Sequence, residues 1–393
     1  MLFNSIEFLF VFLPVLLLVF FVLGGRSPRI AAAWLALGSL FFYGWWNPAY
    51  VALLLGSIVF NYLVGRALAE GVDVGSTRRK RLLVAGVTVD LALLAYYKYA
   101  NFFAATFDVA LTSRLGLSDI VLPLGISFFT FTQIAFLVDA ARGEAKEFDF
   151  VHFILFVTYF PHLIAGPVLH HKEMMPQFGR ASTYRFNNEF FTVGLTMFSI
   201  GLFKKVVLAD GIAPYAMPLF EAATRGEFIG LFQAWGGALA YTLQLYFDFS
   251  GYSDMAIGLS YMIGVQLPLN FNSPYKATNI SEFWRRWHMT LSRFLRDYLY
   301  IALGGNKKGA NSTLYQPHGN HVVRRFMARC WVDVCRLGWL ARVGVGDAPS
   351  LARISRSFGA QLEPVQQSLA RCKRYADISC CGFRVGVLQG PNT

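Results

Sequence analysis

Two polar stretches stand out in a strongly apolar chain, and their residue types could do chemistry. The first is residues 247–254, whose polar side chains are Asp248, Ser250, Tyr252, Ser253 and Asp254. Polar groups in surroundings of membrane type are costly and usually functional. Gly251 predicts a break between two helices, with the backbone lining a cavity. A polar turn that only caps two helices is the alternative.

Residues 279–305 form the second stretch, which holds a single histidine, His288. Asn279 and Glu282 have capping-box spacing and predict that a helix begins there, and a Gly-Gly pair at 304–305 would end it. One face of this single helix would carry Trp284, His288, Leu291 and Leu295. The cations that could face phosphates or the membrane surface are Arg285, Arg296 and Lys307. Spacing alone leaves a structural and a catalytic role open for His288.

The other polar candidates carry weaker signals. His162 lies within an apolar run, and His170-His171 could bind a metal, but no further ligands follow at suitable spacing. We therefore predict no metal site. Lys204-Lys205 is most simply explained as an interfacial pair that snorkels toward the membrane surface.

The elements that must position these residues are apolar. Of the 393 residues, 55% are hydrophobic and 15% charged, against about 45–50% and about 25% in soluble domains. This composition excludes disordered and small disulfide-rich classes. Because a membrane span takes about 20 apolar residues, the chain predicts about nine spans. The apolar runs are 8–25, 30–47, 49–66, 82–104, 119–139, 150–168, 187–209, 228–249 and 252–270.

Basic loops predict the orientation of the spans. Arg26 and Arg29 follow the first run, and residues 77–81 are basic and precede the fourth. Both loops are cytoplasmic by the positive-inside rule if the N-terminus is extracytoplasmic. Residues 170–185 would then be basic and outside, so we expect a re-entrant or interfacial segment there. The first run lacks the basic start and cleavage site of a signal peptide.

Three long motifs resemble the membrane-bound O-acyltransferase family. They are FDFSGYSDMAIG at 247–258, NFNSPYK at 270–276 and FWRRWHMTLSRFLRDYLY at 283–300. The similarity is greatest to the bacterial alginate O-acetyltransferase branch, and the opening MLFNSIEFLFVFLP fits it too. The resemblance covers residues 1–310 in order. It implies an all-α membrane protein, a helical bundle around a central tunnel that is truncated at its C-terminus.

The resemblance also implies an activity. The family transfers an acyl group, usually acetyl, from a cytoplasmic donor such as acetyl-CoA, or a carrier loaded from it, to a hydroxyl at or beyond the membrane. His288 matches the first histidine of the family motif, a general base. The remaining supporting or tunnel residues would be Asp248, Ser250, Tyr252, Asp254, Asn272, Trp284, Arg285, Trp287, Arg296 and Asp297.

Location, partners and competing functions follow from the same resemblance. We expect a multi-pass protein of the bacterial inner membrane that contacts lipid, an acyl donor, a polysaccharide such as alginate and extracytoplasmic acetyltransferase partners. No bound cofactor and no nucleic acid are expected. Alternatives are D-alanyl transfer to teichoic acid, or a non-catalytic membrane protein, either an acyl conduit or an inactive truncated family member.

Residues 311–393 have a different composition. Their formal charge is +7 against +5 for the first 310 residues, and they contain all five cysteines but only 3 of the 38 phenylalanines. The resemblance predicts a second histidine here, in a Trp-His-Gly setting that the chain lacks. His318 and His321 have the wrong neighbours to replace it.

The genetic code offers an explanation for this change in composition after residue 310. Residues 320–329 read NHVVRRFMAR, and codons read from their second base permit Thr-Met-Leu-Phe-Gly-Gly-Leu-Trp-His-Gly. Only some of these codons are forced, such as Trp from the adjoining Met327 and Ala328. We predict that a frameshift near residues 310–314 replaced the native C-terminal spans with an atypical Arg/Cys-rich tail. A genuine divergent C-terminal domain is the alternative.

Overall fold

A computed structural model describes residues 1–70, 76–107, 121–145, 148–164 and 166–301. Within these ranges the secondary structure is helical and holds no strand, which confirms the all-α prediction. The α-helices, numbered in chain order, are α1 Leu13–Gly24, α2 Pro28–Gly44, α3 Ala49–Glu70, α4 Thr77–Phe107, α5 Ile126–Arg142, α6 Phe150–Thr158, α7 Phe160–Leu163, α8 His171–Phe178, α9 Asn188–Phe203, α10 Asp210–Thr224, α11 Leu231–Ile263, α12 Ile280–Arg286 and α13 Met289–Phe294. Three π-helical turns are Phe8–Phe12, Lys204–Ala209 and Leu295–Tyr300.

Three stretches of the described helices are long and apolar enough to cross a membrane: Ala49–Glu70, Thr77–Tyr99 and Asn188–Thr224. Phe8–Gly24 is apolar but shorter. Contacts divide the chain into two units, Met1–Lys307 and Lys308–Thr393. The whole second unit, including the predicted tail with His318 and His321, lies outside the described residues. The predicted domain limits and span count stay predictions.

One predicted span, 150–168, is divided into α6 and α7. Tyr159 interrupts the helix with φ −47° and ψ 104°, and Pro161 follows inside α7. Nine residues of α6 rise only about 14 Å, less than half of the roughly 30 Å hydrocarbon core. All of α7 and the C-terminal half of α6 are buried, whereas Phe150 at the start of α6 is exposed. This part of the chain therefore turns back inside the protein.

The predicted break at Gly251 is wrong, because α11 is one continuous helix of 33 residues. Gly251 serves close packing instead. A Cβ at Gly251 would lie 2.8 Å from Gly201 O, and one at Gly258 would lie 2.6 Å from Gly194 O. The two glycine pairs are seven residues apart on both helices, so the backbones of α9 and α11 are in direct contact, as in other membrane helix pairs with small residues.

This packing predicts a large difference between two identical substitutions in α11. Gly258→Ala would place a Cβ 2.5 Å from Phe198 N, whereas Gly236 has no atom within 4 Å of its added Cβ. We expect Gly258→Ala to destabilise the protein by about 1–3 kcal/mol through overpacking, and Gly236→Ala to cause no loss. Thermal unfolding of the two variants in detergent measures this. Equal melting temperatures would contradict the backbone contact.

The ends of many helices meet at one basic end of the bundle. Gly24 lies against Tyr184 O, Arg29 pairs with Asp149 at 2.8 Å, and Arg79 Nη2 donates to Ala140 O at 2.7 Å. The cations there include Arg26, Arg29, Arg78, Arg79, Lys80, Arg81, Arg142, Lys172, Arg180 and Arg185. Residues 170–185, where we expected a re-entrant or interfacial segment, therefore lie at the same end as Arg26, because α6 and α7 return the chain to the end at which α6 began.

Candidate active site

Residues 264–300 form a re-entrant segment that enters the bundle from the basic end and returns to it. Asn270 Nδ2 donates to Ser253 Oγ at 3.2 Å, and Tyr275 Oη donates to Thr242 O at 2.9 Å. Along α11, Ser253 and Thr242 lie about 15 Å and about 31 Å from Ile263. The chain therefore runs beside α11 toward its N-terminus before α12 and α13 bring it back.

His288 lies at the sharp junction between α12 and α13. Its φ of 44° and ψ of 55° are left-handed, a conformation that is unusual for a residue other than glycine and that collects at functional sites. The predicted single helix through residues 279–304 is therefore wrong, and Trp284, His288 and Leu291 share no continuous helical face. The predicted start is confirmed, since Asn279 Oδ1 accepts from Glu282 N at 2.8 Å.

Backbone hydrogen bonds to Asn270 and Asn272 stabilise the break between α12 and α13. Met289 N donates to Asn270 O at 2.9 Å, and Asn272 N donates to Arg286 O at 2.9 Å. These two bonds satisfy groups on either side of His288 that a continuous helix would pair internally. The break at His288 is thus a consequence of contact with residues about 18 positions earlier.

The Asn270 side chain fixes the imidazole of His288. His288 Nδ1 donates to Asn270 Oδ1 at 2.8 Å, and Thr290 Oγ1 donates to the same oxygen at 2.9 Å. Val168 N donates to Thr290 Oγ1 at 2.9 Å, so the threonine proton is directed at Asn270. Because an amide oxygen only accepts, the proton of the neutral imidazole is on Nδ1 and Nε2 keeps its lone pair.

An aromatic wall surrounds the imidazole. The ring of Phe249 lies 4.9 Å from that of His288, edge to face, and Phe271 stacks at 6.5 Å. Trp287 is buried between Phe249 and Phe271. These apolar rings flank the imidazole, and Asn270 holds Nδ1, so Nε2 carries the lone pair that can accept a proton.

The structure brings few of the predicted supporting residues to His288. Trp287 contributes to the aromatic wall, and Asn272 contributes its backbone while its side chain is exposed. Tyr252 stacks on Phe3 at 4.7 Å. Trp284 is half-buried beside Phe283, and Arg285 is exposed.

Asp248, Ser250 and Asp254 face the opposite side of α11, toward two lysines. Lys204 Nζ lies 2.5 Å from Asp254 Oδ2 and donates to Ser250 Oγ at 3.2 Å. Lys205 Nζ lies 2.7 Å from Asp248 Oδ1. The prediction that the lysines snorkel is wrong, because the π-helical turn at Lys204–Ala209 directs both toward α11. An intramembrane cation and carboxylate compensate each other's desolvation.

Arg296 and Asp297 pair with each other near the basic end, with Arg296 Nε 2.7 Å from Asp297 Oδ1. The neighbouring Tyr298 Oη donates to Asp139 at 3.0 Å. His170 Nδ1 lies 3.1 Å from Tyr298 Oη. His171 is buried against Phe136 and Phe156 and His162 Nε2 donates to Phe156 O. The described residues contain no group of three or more His, Cys, Asp or Glu arranged for a metal ion.

The sequence alone assigns no positioning role to Asn270, Ser253 or Thr290, which hold His288 in place. Ser253 and Asn270 lie within the motifs at 247–258 and 270–276, where Asn272 is the asparagine predicted to support the site. The position of Asn270 as the first residue of its motif was the signal that could have indicated it. The distances of 17 to 20 residues between these partners follow no helical or strand period.

A substitution tests whether Asn270 sets the state of His288. Asn270→Asp keeps an acceptor for Nδ1 but adds a negative charge, which raises the pKa of a neighbouring histidine. We expect carboethoxylation of His288, followed peptide by peptide with mass spectrometry, to fail at higher pH in this variant than in the unaltered chain. Asn279→Ala, which removes a helix cap in the same segment, is expected to leave the midpoint in place. An unshifted midpoint in Asn270→Asp would contradict the positioning role.

Comparison with known proteins agrees with this arrangement. Residues 81–317 match the membrane-bound O-acyltransferase family, a range that contains His288, Asn270 and the aromatic wall. The chain belongs to this family. A peptidoglycan O-acetyltransferase of Helicobacter pylori is 47% identical over 334 residues, which are 78% of this chain and 62% of the relative.

Two further relatives differ in how similar they are to this chain. A probable alginate O-acetylase of Pseudomonas syringae is 44% identical over 381 residues, 94% of this chain and 69% of its own length. A teichoic acid D-alanyltransferase of Bacillus subtilis is 33% identical over 180 residues, 45% of each chain. The chain thus spans about three fifths of the H. pylori relative. The P. syringae alignment extends past residue 310.

Proposed function

We propose that this acyltransferase moves an acetyl group from a cytoplasmic thioester donor, acetyl-CoA or a carrier derived from it, to hydroxyls of an extracytoplasmic polysaccharide. The observation that carries the proposal is the neutral imidazole of His288, held by Asn270 with Nε2 free. The names of the relatives favour O-acetylation of a polymer over D-alanyl transfer, because the identities are 47% and 44% against 33%.

In the proposed reaction His288 acts as a general base. Nε2 takes the proton of the acceptor hydroxyl while the hydroxyl oxygen attacks the thioester carbonyl. The carbon–sulfur bond then breaks, the acetyl group stays on the oxygen as an ester, and the thiolate leaves and receives the proton. Positioned general bases contribute about 10²–10⁴-fold. Phe249, Phe271 and Trp287 limit access of water, which would hydrolyse the donor.

The re-entrant segment supports a route across the membrane. The basic end of the bundle is cytoplasmic by the positive-inside rule, which gives an extracytoplasmic N-terminus in the inner membrane. His288 lies about 15–20 Å along α11 from that end, judged from its contact with Phe249 and its link to Ser253. A donor from the cytoplasm and an acceptor from outside could therefore meet near the middle of the bilayer, with extracytoplasmic partners completing polymer modification.

The acceptor is identified by expression in a host that lacks its own O-acetyltransferase. Membranes supplied with radiolabelled acetyl-CoA are assayed for ester-linked label in alginate, in peptidoglycan and in teichoic acid. We expect label in alginate or peptidoglycan that is released by mild base. Label in neither polymer, from a chain whose C-terminal frame has been restored, would overturn the proposed function.

A further inference from the structure

A polar cavity of about 250 Å³ lies at the basic end, away from His288. It is formed where α8, the turn before α9, and the end of α11 meet. Its lining residues include Arg180, Ser182, Arg185, Asn187, Phe190 and Met262. None of the residues that line it is acidic, so the cavity carries two positive charges and no negative one.

The arginines are available to a ligand. Both Arg180 and Arg185 are exposed. Two other cations near this end pair with carboxylates, Arg29 with Asp149 and Arg293 with Glu173. Guanidinium groups match phosphate oxygens in geometry as well as in charge.

Further donors complete the polar wall. Asn187 Oδ1 caps α9 by accepting from Phe190 N at 3.0 Å, which leaves the Asn187 amide N–H groups available. The N-terminus of α9, a helix of 16 residues, adds the partial positive charge of its dipole. Gln177 is already occupied, since its amide bonds to the backbone of Gln266 at both ends. It therefore holds the cavity's shape.

The surroundings favour a lipid over a soluble phosphate. Phe186, next to Arg185, is 58% exposed and packs edge to face on Phe21 of α1 at 5.3 Å. Met262 and Phe190 provide an apolar wall inside the cavity. Cations at helix ends beside an outward-facing aromatic ring are typical of the headgroup level of a bilayer.

We propose that this cavity binds the phosphate of an anionic phospholipid headgroup, with Arg180 and Arg185 contacting the phosphate and the acyl chains passing Phe186. The site also adjoins Gly264 and Gln266, where the re-entrant segment leaves α11. A bound lipid would therefore brace the start of the segment that carries His288.

The test compares two double variants of the full chain in nanodiscs of phosphatidylcholine, with and without phosphatidylglycerol. Arg180→Gln/Arg185→Gln alters the cavity, and Arg26→Gln/Arg81→Gln removes the same charge from the same end. Native mass spectrometry counts retained phosphatidylglycerol. We expect about 25-fold weaker retention in the cavity variant, at about fivefold for each arginine, and near-normal retention in the control.

Two results would overturn the proposal. Equal loss of phosphatidylglycerol in both double variants would mean that the basic end attracts anionic lipid without a site. A second such result is a higher melting temperature with inorganic phosphate in phosphatidylcholine nanodiscs, and no further rise with phosphatidylglycerol. It would assign the cavity to a soluble phosphate. Thermal unfolding in phosphatidylcholine alone shows that the cavity variant is folded, so that lost retention reports binding.

Discussion

His288→Asn is expected to lower polymer O-acetylation by about 10²–10⁴-fold, the usual contribution of a positioned general base. The amide nitrogen and oxygen of asparagine cannot accept a proton at neutral pH. Asparagine nevertheless tolerates the left-handed backbone that residue 288 adopts, so the variant isolates the chemistry from the fold. The measurement is ester-linked acetate on the polymer, made with the frame-restored chain.

Controls separate this expectation from general damage. His152→Asn replaces a histidine of α6 that has no place in the proposed reaction, and it should acetylate normally. His288→Ala should be as inactive as His288→Asn, although its left-handed backbone makes it the less stable of the two. Acetylation by His288→Asn at more than about a tenth of the unaltered rate would contradict the general-base role.

Restoring the reading frame near residues 310–314 is expected to produce the largest gain. The chain as given lacks the Trp-His-Gly histidine that the family resemblance predicts, so we expect its acetylation to be near background. The restored chain should gain about 10²-fold or more if the second histidine contributes as a positioned acid or base does. Acetate content of the polymer in the same host compares the two.

Two experiments test the frameshift prediction: a substitution in the restored chain, and sequencing of the gene. Replacing the restored Trp-His-Gly histidine with alanine should return acetylation to the level of the chain as given. Equal activity of the given and restored chains would contradict the prediction. So would an intact frame at the locus across codons 305–330 with no downstream Trp-His-Gly codons, which would favour a genuine divergent C-terminal region.

The features that could be predicted from the sequence are those that depend on short, local patterns. Apolar runs of membrane type predicted helices, and Ala49–Glu70 and Thr77–Tyr99 have the expected character. Asn279 was correctly predicted to begin a helix, because a cap acts within one turn. His288 followed from the motif at 283–300. Each of these signals is contained within one short segment of the chain.

Long-range contacts decided the rest. The helix break at His288 depends on bonds to Asn270 and Asn272, and the protonated nitrogen of His288 depends on the Asn270 side chain. The pairing of Lys204 with Asp254 joins residues 50 positions apart. Such partners have no fixed spacing and leave no periodic pattern, so only the packed bundle determines them.

The sequence by itself determined the all-α class, the resemblance to the membrane-bound O-acyltransferase family and the composition change after residue 310. Only the tertiary structure decided that Gly251 permits helix contact rather than a break, that residues 170–185 join the basic end, and that Asn270 holds His288. The physical reason is that helical propensity and hydropathy act locally. Hydrogen bonds, ion pairs and backbone approach between helices arise only when distant segments pack together.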